Sequence, residues 1–242
     1  MRPKSERARA RRDMRAPLHV LGGGSLGSLF AAHLRRVGPT TLLLRSAEKG
    51  SQCDIEVMRG EWAAECGLAI SESSAVGLEA SDGGGEPIAF LMLATKAFAA
   101  RSALDGVKAR LTPQSTVVLL CNGALAVADE LSMPEGCVPL FATTTHGAWR
   151  CTDTEQRKAG ADGRHSRVVH HAGNGSTWVG TLPLSEAREA DGASFRTAEV
   201  VAAAVASIDS AGLRAVAESP AQTERRLWLK LAANAVLNPL TT

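Results

Sequence analysis

Apolar and polar positions along this chain fall into blocks that read as strand, turn and helix. Leu18–Leu21 is a short apolar run with strand character. It passes through GGGSLG into SLFAAHLRRVG, which has helical spacing and a glycine stop at Gly38. TTLLLR, Thr40–Arg45, predicts a second strand. The stretch from about Ser46 to Ala80 is mixed and predicts short strands and turns in no evident order. After the SDGGGEP loop, IAFLMLATK has the continuous apolar character of a strand buried on both faces. Ala97–Leu111 then predicts a helix, STVVLLCNG another buried strand ending at Asn122-Gly123, and CVPLFATTTHGAW one further strand. RVVHHAGNGSTWVG holds two strand-like runs around Gly173-Asn174-Gly175 and predicts a hairpin. Phe195–Ala211 predicts an Ala/Val-rich helix stopped by Gly212, and LRAVAE a last short strand. The early strand–helix alternation argues for an α/β fold, a parallel sheet covered by helices. No internal repeat is evident.

Ser219-Pro220 opens a final helix, because proline is tolerated in a first turn. Pro239 should end or kink it. From Leu227 to Leu240 the plainly polar residues are Lys230, Asn234 and Asn238, at i, i+4 and i+8, so they share one narrow stripe. A surface helix normally shows the reverse pattern, an apolar stripe on a polar cylinder. Leaving its several Leu, Val and Trp side chains uncovered forfeits ~1.5–3 kcal/mol each. This helix therefore reads as the start of a further helical unit.

Composition narrows the field. The formal net charge of +2 is close to balanced, which gives no electrostatic case for nucleic acid. No apolar run reaches the roughly 18 residues of a membrane span. The five cysteines (Cys53, Cys66, Cys121, Cys137 and Cys151) include no C-x-x-C pair, so neither a zinc site nor a disulfide framework is suggested. They read as reduced intracellular thiols, with Cys121 a small core residue. The first fifteen residues are Arg-rich and aperiodic. They read as a disordered tail, with organellar import the alternative, although Glu6 and Asp13 count against a transit peptide. Translation starting at Met14 is a third reading.

Gly22, Gly24 and Gly27 form G-x-G-x-x-G between the first strand and the first helix, the context that a dinucleotide site requires. Gly22 would permit the tight turn, Gly24 the approach of a pyrophosphate, and Gly27 close helix–strand packing. The helix start would offer N–H groups and a positive dipole end to phosphate. An NAD site normally follows its second strand with Asp or Glu. Here Arg45 stands there, and a guanidinium can clamp a 2′-phosphate, which favours NADP(H); the alternative is a solvated surface arginine. Lys96 and Asn122 end buried strands, where ligands gather in open parallel sheets. His146 reads as structural rather than as an acid/base, and His170-His171 has no spacing that suggests a metal.

G-x-G-x-x-G, A-T-K-A, C-N-G-A, T-T-T-H-G-A and the terminal L-W-L-K-L-A-A-N-A-V-L-N-P-L-T occur in that order. From about Pro17 to the last residue the chain resembles the ketopantoate reductase (2-dehydropantoate 2-reductase) family. The terminal K-x3-N-x3-N-P-L-T is the specific part. The resemblance implies NADPH-dependent reduction of ketopantoate to pantoate, on the route to pantothenate and coenzyme A, in the cytoplasm. It implies that Gly22, Gly23, Gly24, Ser25, Leu26 and Gly27 hold the pyrophosphate and Arg45 the 2′-phosphate. Lys96, Asn122 and Ala148 match positions near the cofactor. Lys230 matches the catalytic lysine, and Asn234 and Asn238 match substrate-binding asparagines. No metal is implied.

The implied organisation is a tail at 1–15, a Rossmann-type NADP-binding domain at 16–218, and the start of an all-helical domain at 219–242. In the family that second domain supplies a serine, a glutamate and much of a homodimer contact. Its absence after Thr242 predicts a fragment or a chain that depends on a partner. The competing expectations are a reductase of another 2-keto acid and a non-catalytic NADPH-binding or regulatory protein.

Overall fold

The computed structural model describes residues 17–45, 51–82, 84–150, 165–183 and 193–240, with backbone alone at 165, 193–195 and 237–240. The Arg-rich start and Cys151 lie outside the described residues. The chain runs β1 (Leu18–Leu21), α1 (Ser25–Leu34), β2 (Thr40–Leu44), β3 (Gln52–Arg59), α2 (Trp62–Glu65), β4 (Ser71–Ala80) and β5 (Phe90–Leu93). It continues with α3 (Ala97–Val107), β6 (Thr116–Leu119), α4 (Ala124–Val127), β7 (Val138–Thr144), β8 (Gly147–Arg150) and β9 (His165–Gly173). It closes with β10 (Thr177–Gly180), α5 (Ala193–Ser210), β11 (Ala215–Ala217) and α6 (Pro220–Leu240).

The strands form one eleven-stranded sheet in the order β11-β10-β7-β6-β5-β1-β2-β4-β3-β9-β8. From β7 to β4 the pairings are parallel. β1 lies between β2 and β5, so the strand order reverses at its carboxyl end, the crevice where ligands bind in such sheets. The parallel strands are apolar on both faces because both are covered. Val20, Leu42, Met92 and Val118 point into one core with Leu29, Phe30 and Leu34 of α1 and Ile208 of α5. Leu21, Leu43, Leu91 and Leu119 point into the other with Leu104 of α3 and Leu227 of α6. The result is a three-layer, Rossmann-type α/β fold.

The segment left unordered above contains β3 and β4, an antiparallel pair that lies between β2 and β9 in the sheet. β3 alternates buried Cys53, Ile55 and Val57 with half-exposed neighbours, the period of a one-sided strand.

Two expectations need correction. CVPLFATTTHGAW is not one strand: β7 pairs with β6 and β10, whereas β8 pairs with β9 at the far end of the sheet. The run around Gly173-Asn174-Gly175 is not a hairpin. β9 pairs with β3 and β8, and β10 with β7 and β11, so the turn steps from one sheet end to the other. Only Thr145 and His146 separate β7 from β8. Such short links between opposite ends require the sheet to curl, and it does so around α1, which touches β1, β2, β3, β4, β8 and β9. Residues Gly27 to Leu34 are accordingly all buried.

The last helix also differs from expectation. It continues to Leu240, through Pro239. Its polar stripe faces inward: Thr223 and Leu227 are buried and Lys230 and Asn234 half-buried, whereas Trp228, Leu229 and Val236 are 56–62% exposed.

Candidate cofactor and substrate cleft

The glycine turn is built by close approach. Gly22 has φ +111°, and a Cβ there would lie 2.9 Å from the Ala94 carbonyl oxygen; its N–H donates to Leu43 O at 3.1 Å. A Cβ on Gly27 would fall 1.9 Å from Gly22 O, so only hydrogen lets the helix lie this close to the strand end. Gly24 has open space above it and stands at the start of α1 with no side chain capping the helix. Its first amides, at Ser25, Leu26 and Gly27, are the groups a pyrophosphate would take. These features fit a dinucleotide. Arg45 follows β2 and is exposed, and the Leu44 side chain before it reaches Gly23.

The strand ends gather beside this turn. Thr95 packs against Gly22, and exposed Lys96 stands at the start of α3. Ala97 packs against Gly123, next to exposed Asn122. A cleft with about 570 Å³ of empty space, part of it open to solvent, joins Leu26, Asn122, Thr144, His146, Leu227 and Lys230. Within it the Lys230 ammonium donates to Thr144 O at 3.2 Å. Asn234 lies one turn further along α6, half-buried on the same stripe. Asn238 continues the stripe; its side chain is outside the described residues. Ala148 is not a wall of the cleft. It sits on β8 opposite His171 and packs against the core beside α1.

The start of α6 is fixed firmly enough to aim Lys230. A Cβ on Gly180 would lie 2.1 Å from the Thr223 hydroxyl, so the helix rests directly on β10. Arg226 stacks over Trp178, 4.0 Å from the ring centroid, and its Nε donates to Glu218 at 2.7 Å.

His146 lines the cleft but is committed elsewhere. Its Nδ1 accepts from Gly175 N–H at 3.1 Å, which puts its proton on Nε2, donated to Leu213 O at 3.1 Å. His171 Nε2, 3.0 Å away, shares that same His146 Nδ1 lone pair in a three-centre bond, and His33 of α1 donates to Ala211 O at 3.0 Å. Burial lowers the pKa of all three rings, His33 to about 3 and His171 to about 4. These histidines pin the two short links against α1 as neutral rings. The structural reading of His146 therefore holds. His170 stacks on Trp149. Among the described residues no group of three His, Cys, Asp or Glu side chains could hold a metal, and no helix is long and apolar enough to cross a membrane.

The sequence reading missed two residues at the glycine turn. Arg150 of β8 and Arg167 of β9 each donate to Gly23 O, at 2.8 and 3.0 Å. Their arrival depends on the curl of the sheet, which no local pattern announces.

A family model described as Ketopantoate reductase PanE/ApbA matches residues 18–183. A 2-dehydropantoate 2-reductase of Vibrio cholerae is 28% identical over 222 residues, 92% of this chain and 62% of that protein. The ternary structure of D-mandelate dehydrogenase with NADH and anilino(oxo)acetate has a TM-score of 0.65 at 18% identity, covering 93% of this chain and 63% of that one. For the probable 2-dehydropantoate 2-reductase of Bacillus subtilis the TM-score is 0.59 at 19% identity, over 93% and 65%. These structural likenesses carry the fold, and the chain spans under two thirds of each of these proteins. Because the family match runs from β1 to just past β10, more than half of the chain, the protein belongs to the ketopantoate reductase PanE/ApbA family.

Proposed function

We propose that this chain carries the cofactor side and the catalytic lysine of an NADPH-dependent reductase that converts ketopantoate to pantoate. The observation that carries this reading is Lys230, held by Thr144 O in one cleft with Asn122 and with Leu26 of the glycine turn. The cofactor domain is residues 16–218, and α6 begins the helical domain that bears substrate contacts. Gly22 to Gly27 receive the pyrophosphate, Arg45 the 2′-phosphate, and Lys96 and Asn122 lie along the remainder of the dinucleotide.

A nicotinamide held along the glycine turn and these strand ends would supply a hydride to the substrate's keto carbon. Negative charge then builds on the carbonyl oxygen. An ammonium positioned in a partly enclosed cleft stabilises that charge and donates the proton that makes the alcohol. Lys230 is that group. Thr144 O keeps one of its N–H bonds occupied and so orients the head, leaving two donors for the substrate. Asn234 and Asn238, on the same stripe, offer neutral donors and acceptors for the carboxylate and hydroxyl of the acid. Lys230→Ala should lower ketopantoate-dependent NADPH oxidation by roughly 100-fold or more while leaving NADPH binding within a few-fold. Near-normal turnover in that variant sinks the assignment.

The likeness to D-mandelate dehydrogenase favours a second reading, reduction of another 2-keto acid in the same cleft. A panel of 2-keto acids compared by kcat/KM separates the two. NADPH binding without turnover on any of them would leave a cofactor-binding role.

A further inference from the structure

Two guanidiniums meet at the first half of the glycine turn. Arg150 Nη1 and Arg167 Nη1 both donate to Gly23 O, at 2.8 and 3.0 Å. Two donors on one oxygen stand no more than about 6 Å apart, where like charges repel. Among the described residues no carboxylate is ion-paired to either of them. Burial lowers the Arg167 pKa; Cys53 partly offsets this, and Arg150 adds to it, so concentrating positive charge here carries an electrostatic cost. A shared neutral carbonyl and, for Arg167, a hydrogen bond with the Cys53 thiol are weak compensation for two cations, and each fork has further N–H groups to offer. Both residues are half-buried, with part of each side chain in reach of solvent.

The position of the pair says what would compensate it. Nη1 of Arg167 would lie 2.9 Å from a Cβ on Gly23, and Leu44 Cδ2 would lie 2.5 Å from the same point. Arg167 therefore fills the corner between the glycine turn and the carboxyl end of β2. In a dinucleotide site that corner holds the adenosine ribose, and an acidic residue there takes the 2′-hydroxyl. Here Arg45 follows Leu44, and β8 and β9 bring Arg150 and Arg167 in from the curled sheet end.

We infer that Arg150 and Arg167 join Arg45 in a three-arginine clamp for the adenosine 2′-phosphate of NADPH, so that selection for the phosphorylated cofactor is shared between β2 and the β8–β9 strands. This rests on the NADPH reading above. A phosphate dianion accepts several charge-assisted bonds at once and removes the repulsion between the guanidiniums.

The test is binding of NADPH, NADH and 2′,5′-ADP to the unaltered chain and to Arg45→Met, Arg150→Met and Arg167→Met, with thermal melting of each. Methionine keeps an unbranched stem and removes the charge. Losing one such bond should weaken NADPH and 2′,5′-ADP binding by roughly 10- to 100-fold and leave NADH binding within about 3-fold. If Arg167→Met fails to fold, Arg150→Met carries the test. An unchanged NADPH/NADH ratio in folded Arg150 and Arg167 variants overturns the clamp, even if Arg45→Met lowers it. Equal weakening of both dinucleotides also overturns it, because the pair would then serve the pyrophosphate or the turn itself. If the unaltered chain binds neither dinucleotide, or shows no preference for NADPH, the cofactor reading fails and the clamp falls with it.

Discussion

At the scale of single residues, the cofactor turn is governed by the absence of atoms. Gly27 is the tightest case, because a methyl group there would stand 1.9 Å from a backbone oxygen that cannot move without shifting β1. Gly27→Ala should cost about 1–3 kcal/mol, the usual range for overpacking, and weaken dinucleotide binding at least tenfold. Chemical denaturation and NADPH titration check both; a variant of unchanged stability and affinity would show that the turn relaxes freely. Lys230 depends on the opposite circumstance, a positive contact. Thr144 O is the last carbonyl of β7, so the end of one strand aims the ammonium on a helix that arrives much later in the chain.

Among the elements, α6 is the one whose sequence and surroundings disagree. Thr223, Leu227, Lys230 and Asn234 turn toward the sheet, while Trp228, Leu229 and Val236 face water. Such contiguous apolar exposure is uncommon on a lone domain and favours association. The chain should therefore self-associate as concentration rises. Leu229→Glu with Val236→Glu should abolish this, changing stability by under ~0.5 kcal/mol because neither side chain contributes to the core. Sedimentation velocity over a concentration series decides it: equal association of both proteins would place the contact elsewhere. The polar stripe of α6 was legible in the sequence because i, i+4, i+8 spacing is a property of the helix alone. The direction it faces was not, since that depends on Gly180 and Thr223 letting the helix down onto β10.

For the whole molecule, the curl of the sheet is what the three neutral histidines hold. His33, His146 and His171 stand where α1 meets the links β7–β8 and β9–β10. An unfolded histidine titrates near 6.5, whereas in the fold burial keeps His33 to about 3 and His171 to about 4. Below pH 6.5 the unfolded chain takes up protons that the folded chain refuses. Stability is therefore complete above that pH and falls as the pH drops from about 6.5 toward 4, at up to ~1.4 kcal/mol per pH unit for each group. Urea midpoints between pH 7.5 and 4.5 measure this. His33→Gln with His171→Gln should flatten the dependence, and an equally steep curve in that double variant would assign the loss to other groups.

By itself the sequence determined whatever depends on neighbours along the chain. That covers the glycine turn between β1 and α1, the buried strands β5 and β6 that lead to Lys96 and Asn122, the stripe on α6, and through them the family. Period, turn chemistry and spacing are local quantities and survive without coordinates. Only the tertiary structure decided that TTTHGA divides two distant strands and that Gly173-Asn174-Gly175 is a crossing, not a hairpin. The same curl brings Arg150 and Arg167 to Gly23. Strand pairing is a choice among distant partners, settled by which arrangement buries α1 on every side, and no stretch of this sequence contains that information alone.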